Sequence, residues 1–278
     1  MGDVSFDPYQ PYGPLLSGSC RVATWNVWGR FGDWSARHNG LISEVSSISP
    51  DILCLQESWE TDDERQADLV GEAVGLRHRY SAADWSWDGW RSGATVLSRW
   101  PITRQEITRL RGGADANGMA MFALLDGPRG PVQVFNVMLD FPLHASGIRR
   151  TQVIELTGFI ARMQSRRHLT LVCGDFNAGP DSDEIRLLNG QSQPPVDGLV
   201  FYDAWQTAGG GGDGFTWDNA NPLAAVCLLP NQRLDYIFTA WPRRGGLGHP
   251  LSCRLLGTNA AGETPISDHY GVYADLRY

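Results

Sequence analysis

The segment Leu171-Val-Cys-Gly-Asp-Phe-Asn177 sets a carboxylate and a carboxamide two positions apart, behind an apolar run that stops at Gly174. Side chains two apart on an extended backbone share a face, so Asp175 and Asn177 are expected to converge on one substrate atom. The segments ending in Asn26 and Glu57 also close buried-looking strands on a residue that can offer oxygen to a hard cation. Desolvating a glutamate is costly unless it is paired, which makes a metal a natural partner; Glu57 alone suits a helix N-cap or an exposed site equally well. In Ser267-Asp268-His269 the adjacent acid and imidazole point in opposite directions on an extended backbone, Asp268 toward a metal and His269 toward the reacting group. Asp235, a lone charge in the apolar stretch 234–239, is suited to orient a histidine and fix its proton.

Nine short apolar or β-branched runs are expected to be the strands that carry these residues: 21–27, 52–56, 94–98, 119–125, 132–139, 169–174, 234–239, 251–256 and 272–276. The runs 119–125 and 132–139, joined by Gly-Pro-Arg-Gly, read as an antiparallel hairpin. Helical periodicity is clearest over 146–164, where Ile148, Leu156, Phe159, Ile160 and Met163 share a face and Ser146 is the expected N-cap. Arg162, Arg166 and Arg167 lie where a helix C-terminus favours cations, or else form a phosphate patch. Hairpins mixed with helices point to an α/β fold in which sheets pack face to face with helices outside. The Pro/Gly/Tyr-rich residues 1–19 read as a tail draped on a domain spanning 20–278, and 209–214 and 245–248 as mobile loops within it.

The chain has 278 residues, 42% of them hydrophobic, and a net charge of -8, which argues against a protein that holds long nucleic acid by its overall field. Five cysteines without metal-like or paired spacing, and no signal or spanning segment, lead to the expectation of a cytoplasmic protein whose thiols act as small hydrophobes.

The motifs Trp-Asn26, Gln-Glu57, Gly-Asp175-Phe-Asn177, Arg-Leu-Asp235-Tyr-Ile and Ser-Asp268-His269 occur in this order over nearly the whole chain. Together they resemble the endonuclease/exonuclease/phosphatase superfamily. The resemblance implies a four-layer α/β sandwich with two mixed β-sheets, and a divalent ion, Mg2+ or alternatively Mn2+, bound by Asn26, Glu57 and Asp268. It also implies that Asp175 activates the attacking water, that Asn177 donates to the phosphoryl oxygens, and that His269, held by Asp235, stabilises the developing charge. These roles suit an anionic phosphoester, which repels a nucleophile until its oxygens are neutralised.

Two departures from the family pattern stand out. Where many members carry Asn-Thr-His-Leu, this chain reads Asn136-Val-Met138-Leu, and methionine cannot transfer a proton. Departure of the leaving group then rests on the metal alone, or on a neighbour such as Asp140 or His144. The aromatic load is also high, with Trp85, Trp87 and Trp90 crowded before Arg91; these rings either stack on a flat substrate group or pack over the fold. The loop Thr216-Trp217-Asp-Asn219-Ala-Asn221-Pro resembles one near the substrate in sphingomyelinase-like and nocturnin-like branches. Trp217, Asn219, Asn221, Asn136, Arg91 and His144 are therefore the candidate substrate contacts. The expected activity is hydrolysis of a small-molecule or lipid phosphoester. The alternatives are a nuclease acting on DNA or RNA, a specialised biosynthetic enzyme, and a non-catalytic binding protein on the same fold.

Overall fold

The computed structural model describes residues 7–113, 117–258 and 264–278. Its first half runs β1 (Ser19–Asn26), α1 (Trp34–Ile48), β2 (Ile52–Glu60), α2 (Gln66–Val74), β3 (His78–Trp87), β4 (Trp90–Ser98), β5 (Ile102–Leu110), β6 (Gly118–Leu125) and β7 (Val132–Met138). The second half runs α3 (Ser146–Met163), β8 (Leu169–Asp175), α4 (Asp183–Asn189), β9 (Phe201–Asp203), α5 (Ala204–Ala208), α6 (Pro222–Ala225), β10 (Asp235–Ala240), β11 (Pro250–Leu256) and β12 (Gly271–Arg277). The strands form two six-stranded mixed sheets, in the orders β11-β12-β1-β2-β4-β3 and β5-β6-β7-β8-β10-β9.

Period-two patterning explains the layers. Cys20 and Val22 on β1 point inward to meet Val132, Val134, Leu171 and Cys173 of the other sheet. The alternate positions Ala23 and Trp25 point outward under Leu41 and Val45 of α1 and Val70 of α2. On β7 and β8, Phe135, Val137 and Val172 face Val153, Leu156, Phe159 and Ile160 of α3. Both faces of each central strand are thus covered, which is why these strands read as unbroken apolar runs. Each fully buried aliphatic or aromatic side chain contributes roughly 1.5–3 kcal/mol. Asn136 pins the two sheets across the apolar layer between them. Asn136 Nδ2 donates to the carbonyls of Leu55 and Thr95, both at 2.9 Å, while its Oδ1 accepts from Gln56 Nε2 at 2.6 Å.

All nine expected strands form, and the hairpin of β6 and β7 is antiparallel as read. Three further strands, β3, β5 and β9, were not legible, and each lies at a sheet edge. β5 is largely exposed, so it carries polar residues and lacks an apolar run. The segment holding Trp85, Trp87 and Trp90 is a β3–β4 hairpin, closed by Asp88 and Gly89 at φ 40° and 81°, the left-handed pair that two-residue hairpins require. Ser146 does not cap α3. Ala145 occupies that place without a side-chain bond, and the Ser146 hydroxyl donates to Glu184 instead. Residues 1–6 of the tail lie outside the described residues. Beyond them, Gly245 N donates to Tyr12 O and Leu16 N to Gly245 O, laying the tail along the 245–248 loop.

Candidate active site

The site forms where strand ends of both sheets meet. β8 and β10 pair antiparallel with Asp175 opposite Asp235, and β7 and β8 pair in parallel with Met138 beside Asp175. Asn26 closes β1 and reaches across the sandwich, its Nδ2 donating to Glu57 Oε1 and Asp175 Oδ2, both at 3.0 Å. His269 Nδ1 donates to Asp235 Oδ2 at 2.9 Å, which leaves Nε2 directed toward Asp175 Oδ2 at 3.9 Å. Asn26, Glu57, Asp175, Asn177, Asp268 and His269 all line one cavity of about 500 Å³.

Three local conformations differ from the period-two reading. β8 ends at Asp175, and Asn177 reaches the same cavity through a left-handed backbone at φ 49°. Its N–H donates to Asp175 Oδ1 at 2.9 Å and its amide to Leu139 O at 3.0 Å. Gly174 makes this turn fit: at φ 143°, an added Cβ would lie 1.9 Å from Val137 O. Glu57 does not end β2. It sits at φ 55° in a bulge between Gln56 and Ser58 that turns its carboxylate to the cavity, a device that re-aims one side chain without ending the strand. Asp268 and His269 lie in a bend, and both line the same cavity.

Much of the positioning comes from residues that the sequence reading did not single out. Arg37 of α1 is buried and donates to the carbonyls of Val27, Trp28, Gly29, Phe31 and Ile266. It ties the loop after Asn26 to the segment before Asp268. Trp25 Nε1 donates to His269 O at 2.9 Å, and Ser267 Oγ to Asn26 O at 2.7 Å. Thr216 Oγ1 accepts from the backbone N–H groups of Leu234 and Asp235. No motif marked Arg37; its one signal is a charge at an otherwise inward-facing position of a helix.

The candidate substrate contacts divide. Trp217 lines the cavity and packs edge-on against His269, with ring centroids 5.1 Å apart. Asn221 is a buried brace, donating to Ser267 O at 2.8 Å while its Oδ1 accepts from Leu223 N. Asn136 is the inter-sheet pin and does not line the cavity. Asn219 spends its amide on Leu229 O and Asn231 Oδ1. Arg91 pairs with Glu60 and Asp62, and His144 is exposed in the turn 143–145, outside the cavity lining. Asp140, the other candidate donor, also lies outside that lining.

Electrostatically the site holds more acid than base. Burial is the main cause that raises Glu57, lifts Asp175 to about 7 and lifts Asp268 to about 6. The charge of Asp235 adds to the effect at Asp175, and that of Glu57 adds to it at Asp268. Burial alone would lower His269, but the charges of Asp235 and Asp175 hold it well above its usual value. Asp175, Asp235 and His269 place ligand-capable atoms within 4.8 Å of one another, with Asp235 Oδ2 already bonded to His269 Nδ1. The carboxylates of Glu57 and Asp268 suit a hard divalent cation, which would relieve the repulsion among these buried acids; Asn26 turns its Nδ2 to Glu57 while its Oδ1 accepts from Trp28 N, so a rotated amide would be needed to offer its oxygen as well.

A stability test follows from these shifts. Asp175 and Asp268 titrate higher in the fold than their ordinary 3.8, so the metal-free fold binds extra protons. Its stability falls as pH rises from about 4 through about 7. Cation binding needs the ionised acids, so Mg2+ is expected to raise the melting temperature more near about pH 8 than near about pH 5. Differential scanning fluorimetry in Mg2+ and in EDTA checks this, and a larger shift at the acidic pH would contradict it.

Fold and site together are those of a metal-assisted phosphoesterase. The profile of the Endonuclease/Exonuclease/phosphatase family matches residues 23–269, and the chain belongs to this family, whose members are metal-dependent hydrolases of phosphodiester bonds. A truncated TDP2 from Caenorhabditis elegans superposes with a TM-score of 0.72 at 20% identity, over 95% of this chain and 99% of that one. TDP2 from D. rerio, complexed with a single strand DNA product, gives 0.74 at 18% identity over 94% and 100%. A family protein from Bacteroides thetaiotaomicron gives 0.69 at 17% identity over 93% and 97%. At such identities the likeness concerns the fold. A search of curated proteins found no significant match.

Proposed function

We propose that this chain hydrolyses a phosphomonoester or phosphodiester of a small molecule or lipid, with Mg2+ as the preferred ion. The observation that carries the reading is the array of Asp235, His269 and Asp175, which shares one cavity with Asn26 and the carboxylates of Glu57 and Asp268. Asp175 aligns the attacking water and accepts its proton. His269 turns its free Nε2 to the phosphoryl oxygens, and Asp235 keeps the imidazole protonated and oriented. Asn177 supports the same oxygens. Asn26, Glu57 and Asp268 would hold the divalent ion, which when bound neutralises the phosphoryl oxygens.

The walls support the small or lipid substrate. Among the described residues lining the cavity there is no lysine or arginine, whereas Trp28, Phe31, Trp85, Trp87, Phe141 and Leu143 line its mouth. Trp87 is 58% exposed, Phe141 75% and, on the loop that also supplies Leu229, Leu228 is 90% exposed. Such a mouth suits an apolar or flat group better than a run of phosphates, which Arg and Lys hold. A nuclease reading rests on two observations: an exposed indole beside the cavity can stack a base, and the D. rerio TDP2 neighbour was solved with a single strand DNA product.

A panel of phospholipids, sugar phosphates, nucleotides, single-stranded DNA and RNA, assayed in Mg2+ and in EDTA, tests the proposal. Turnover is expected on a small or lipid ester, with Trp87→Ser raising its KM by roughly tenfold, the loss of about 1.4 kcal/mol of ring contact. Cleavage of DNA or RNA far faster than of every small ester would overturn the substrate assignment.

A further inference from the structure

The segment after β7 carries two exposed apolar side chains to the rim of the cavity, yet its backbone is held by buried groups. Phe141 is 75% exposed and Leu143 49%, and both line the cavity. Arg149 of α3 is buried and gathers the carbonyls of this segment. Its Nη1 donates to Asp140 O at 3.1 Å and to Pro142 O at 2.7 Å, and its Nη2 to Leu143 O at 3.4 Å. Its Nε donates to Oε1 of Glu184 on α4 at 2.9 Å, and the other oxygen of that buried carboxylate accepts from Ser146 Oγ. Gln152, also buried, completes the hold by accepting from Asp140 N at 3.0 Å.

Neither the helix nor its burial accounts for Arg149. It stands near the N-terminus of α3, the end at which a cation opposes the helix dipole. An apolar pair of similar volume would stabilise the places of Arg149 and Glu184 as well as a buried ion pair does. What the guanidinium supplies is shape, a planar fork that reaches several carbonyls and a carboxylate at once, which an ammonium cannot do. At its other end the same segment is tied to the chemistry. Leu139 N donates to Asp175 O and Asn177 Nδ2 to Leu139 O, both at 3.0 Å. These two bonds do not involve Arg149, so the clamp governs the wall without setting the catalytic carboxylate.

We propose that Arg149 is a positioning residue for substrate specificity: by holding the carbonyls of Asp140, Pro142 and Leu143 it presents Phe141 and Leu143 as a preformed apolar wall, against which the apolar group of the substrate binds. The proposal rests on the phosphoester hydrolase reading above. A wall on an unheld segment would have to be ordered by each substrate, and that ordering subtracts from affinity. The clamp keeps the order in place beforehand. Its loss is therefore felt in KM, in proportion to the apolar substrate group, and not in kcat.

The methyl, butyl and octyl para-nitrophenyl phosphodiesters, which share one leaving group and differ in the apolar arm, test this in Mg2+. In the wild type KM is expected to fall as the arm lengthens. Arg149→Lys is expected to remove most of that fall, raising KM for the octyl ester by roughly tenfold, about the worth of two buried methylenes, with kcat and the methyl ester little changed. Phe141→Ser with Leu143→Ser is expected to do the same while Arg149 stays in place. Adding Arg149→Lys to that pair is expected to leave KM where it is, because the clamp acts through these two side chains. Should Arg149→Lys fail to fold, Glu184→Asp, which withdraws the carboxylate from the guanidinium, takes its place in the same cycle. A wild-type KM indifferent to arm length, a loss confined to kcat, or penalties that multiply in the combined variant would overturn the proposal while leaving the hydrolase intact. Absence of Mg2+-dependent nitrophenol release from every ester would instead bring down the hydrolase reading, and this proposal with it.

Discussion

Asp175→Asn is expected to lower kcat by about 10²–10⁴ while making the metal-free protein more stable at alkaline pH. The asparagine keeps the shape of the side chain and an oxygen for the Asn177 N–H, which donates to Oδ1 at 2.9 Å, but it cannot accept the proton of water, and it loses the acceptor that Asn26 Nδ2 uses at Oδ2. The electrostatic part of the stability change has a definite sign. Burial, and then the charge of Asp235, hold Asp175 at about 7 in the fold, above its ordinary 3.8. Ionising it therefore disfavours the fold, increasingly as pH rises through that interval, and the neutral amide escapes this cost. In EDTA the variant should melt higher than the wild type near about pH 8, and that advantage should fade as pH falls toward 3.8, below which the carboxyl is protonated folded and unfolded alike. Activity and stability then move in opposite directions, as expected where a site is held under electrostatic strain. A variant that melts lower at the alkaline pH, or turns over normally, would remove Asp175 from the role assigned to it.

His269→Ala should have the other large effect, and it should lower both activity and stability. The imidazole donates to Asp235 at 2.9 Å and faces Asp175 at 3.9 Å, so its removal leaves two buried acids without their cation. Breaking a buried pair by deleting one partner costs about 3–5 kcal/mol, and loss of a group that contacts the reacting oxygens costs about 10²–10⁴ in kcat. The fold holds His269 well above its usual 6.5, with Asp235 and Asp175 overriding its burial. Its stabilisation is thus complete below about 6.5 and fades as pH rises through the higher folded value. Adding Asp235→Asn to His269→Ala should recover part of the stability, because the stranded charge is gone, and none of the activity. Chemical denaturation of the single and double variants checks this; equal stabilities would show that the pair is not coupled.

The centre of the site was legible because Asn26, Asp175, Asp235 and Asp268-His269 each interrupt or adjoin an apolar run, and a polar residue there is costly without a function. The parts that were not legible depend on geometry that type and spacing do not carry. Glu57 reaches the cavity through a bulge inside β2, and Asn177 through a left-handed turn that Gly174 permits. Both defeat period-two reasoning. Residue type alone also failed to separate Trp217, on the cavity wall, from Arg91, Asn219 and His144, whose places in the fold keep them out of the lining. Asn136 shows why: a buried asparagine near a catalytic strand end has a structural use in joining two sheets, and its partners are backbone carbonyls of Leu55 and Thr95. Arg37 was silent for a related reason, since its five acceptors are carbonyls and leave no trace in side-chain patterning. The edge strands β3, β5 and β9 stayed hidden because an edge need not be apolar on both faces.

The central claim is that one metal-assisted site, built on Asp175 and His269 and bounded by Asn26, Glu57 and Asp268, breaks a phosphoester bond. Its most direct test is the turnover of the best substrate by the wild type and by Glu57→Gln in EDTA and then in rising Mg2+. The wild type should be silent in EDTA and recover fully with the ion, and Glu57→Gln should need at least about tenfold more Mg2+ for half-recovery, as loss of a ligating carboxylate weakens a divalent site. Wild-type turnover that persists in EDTA, or an unchanged Mg2+ requirement in Glu57→Gln, would contradict the account.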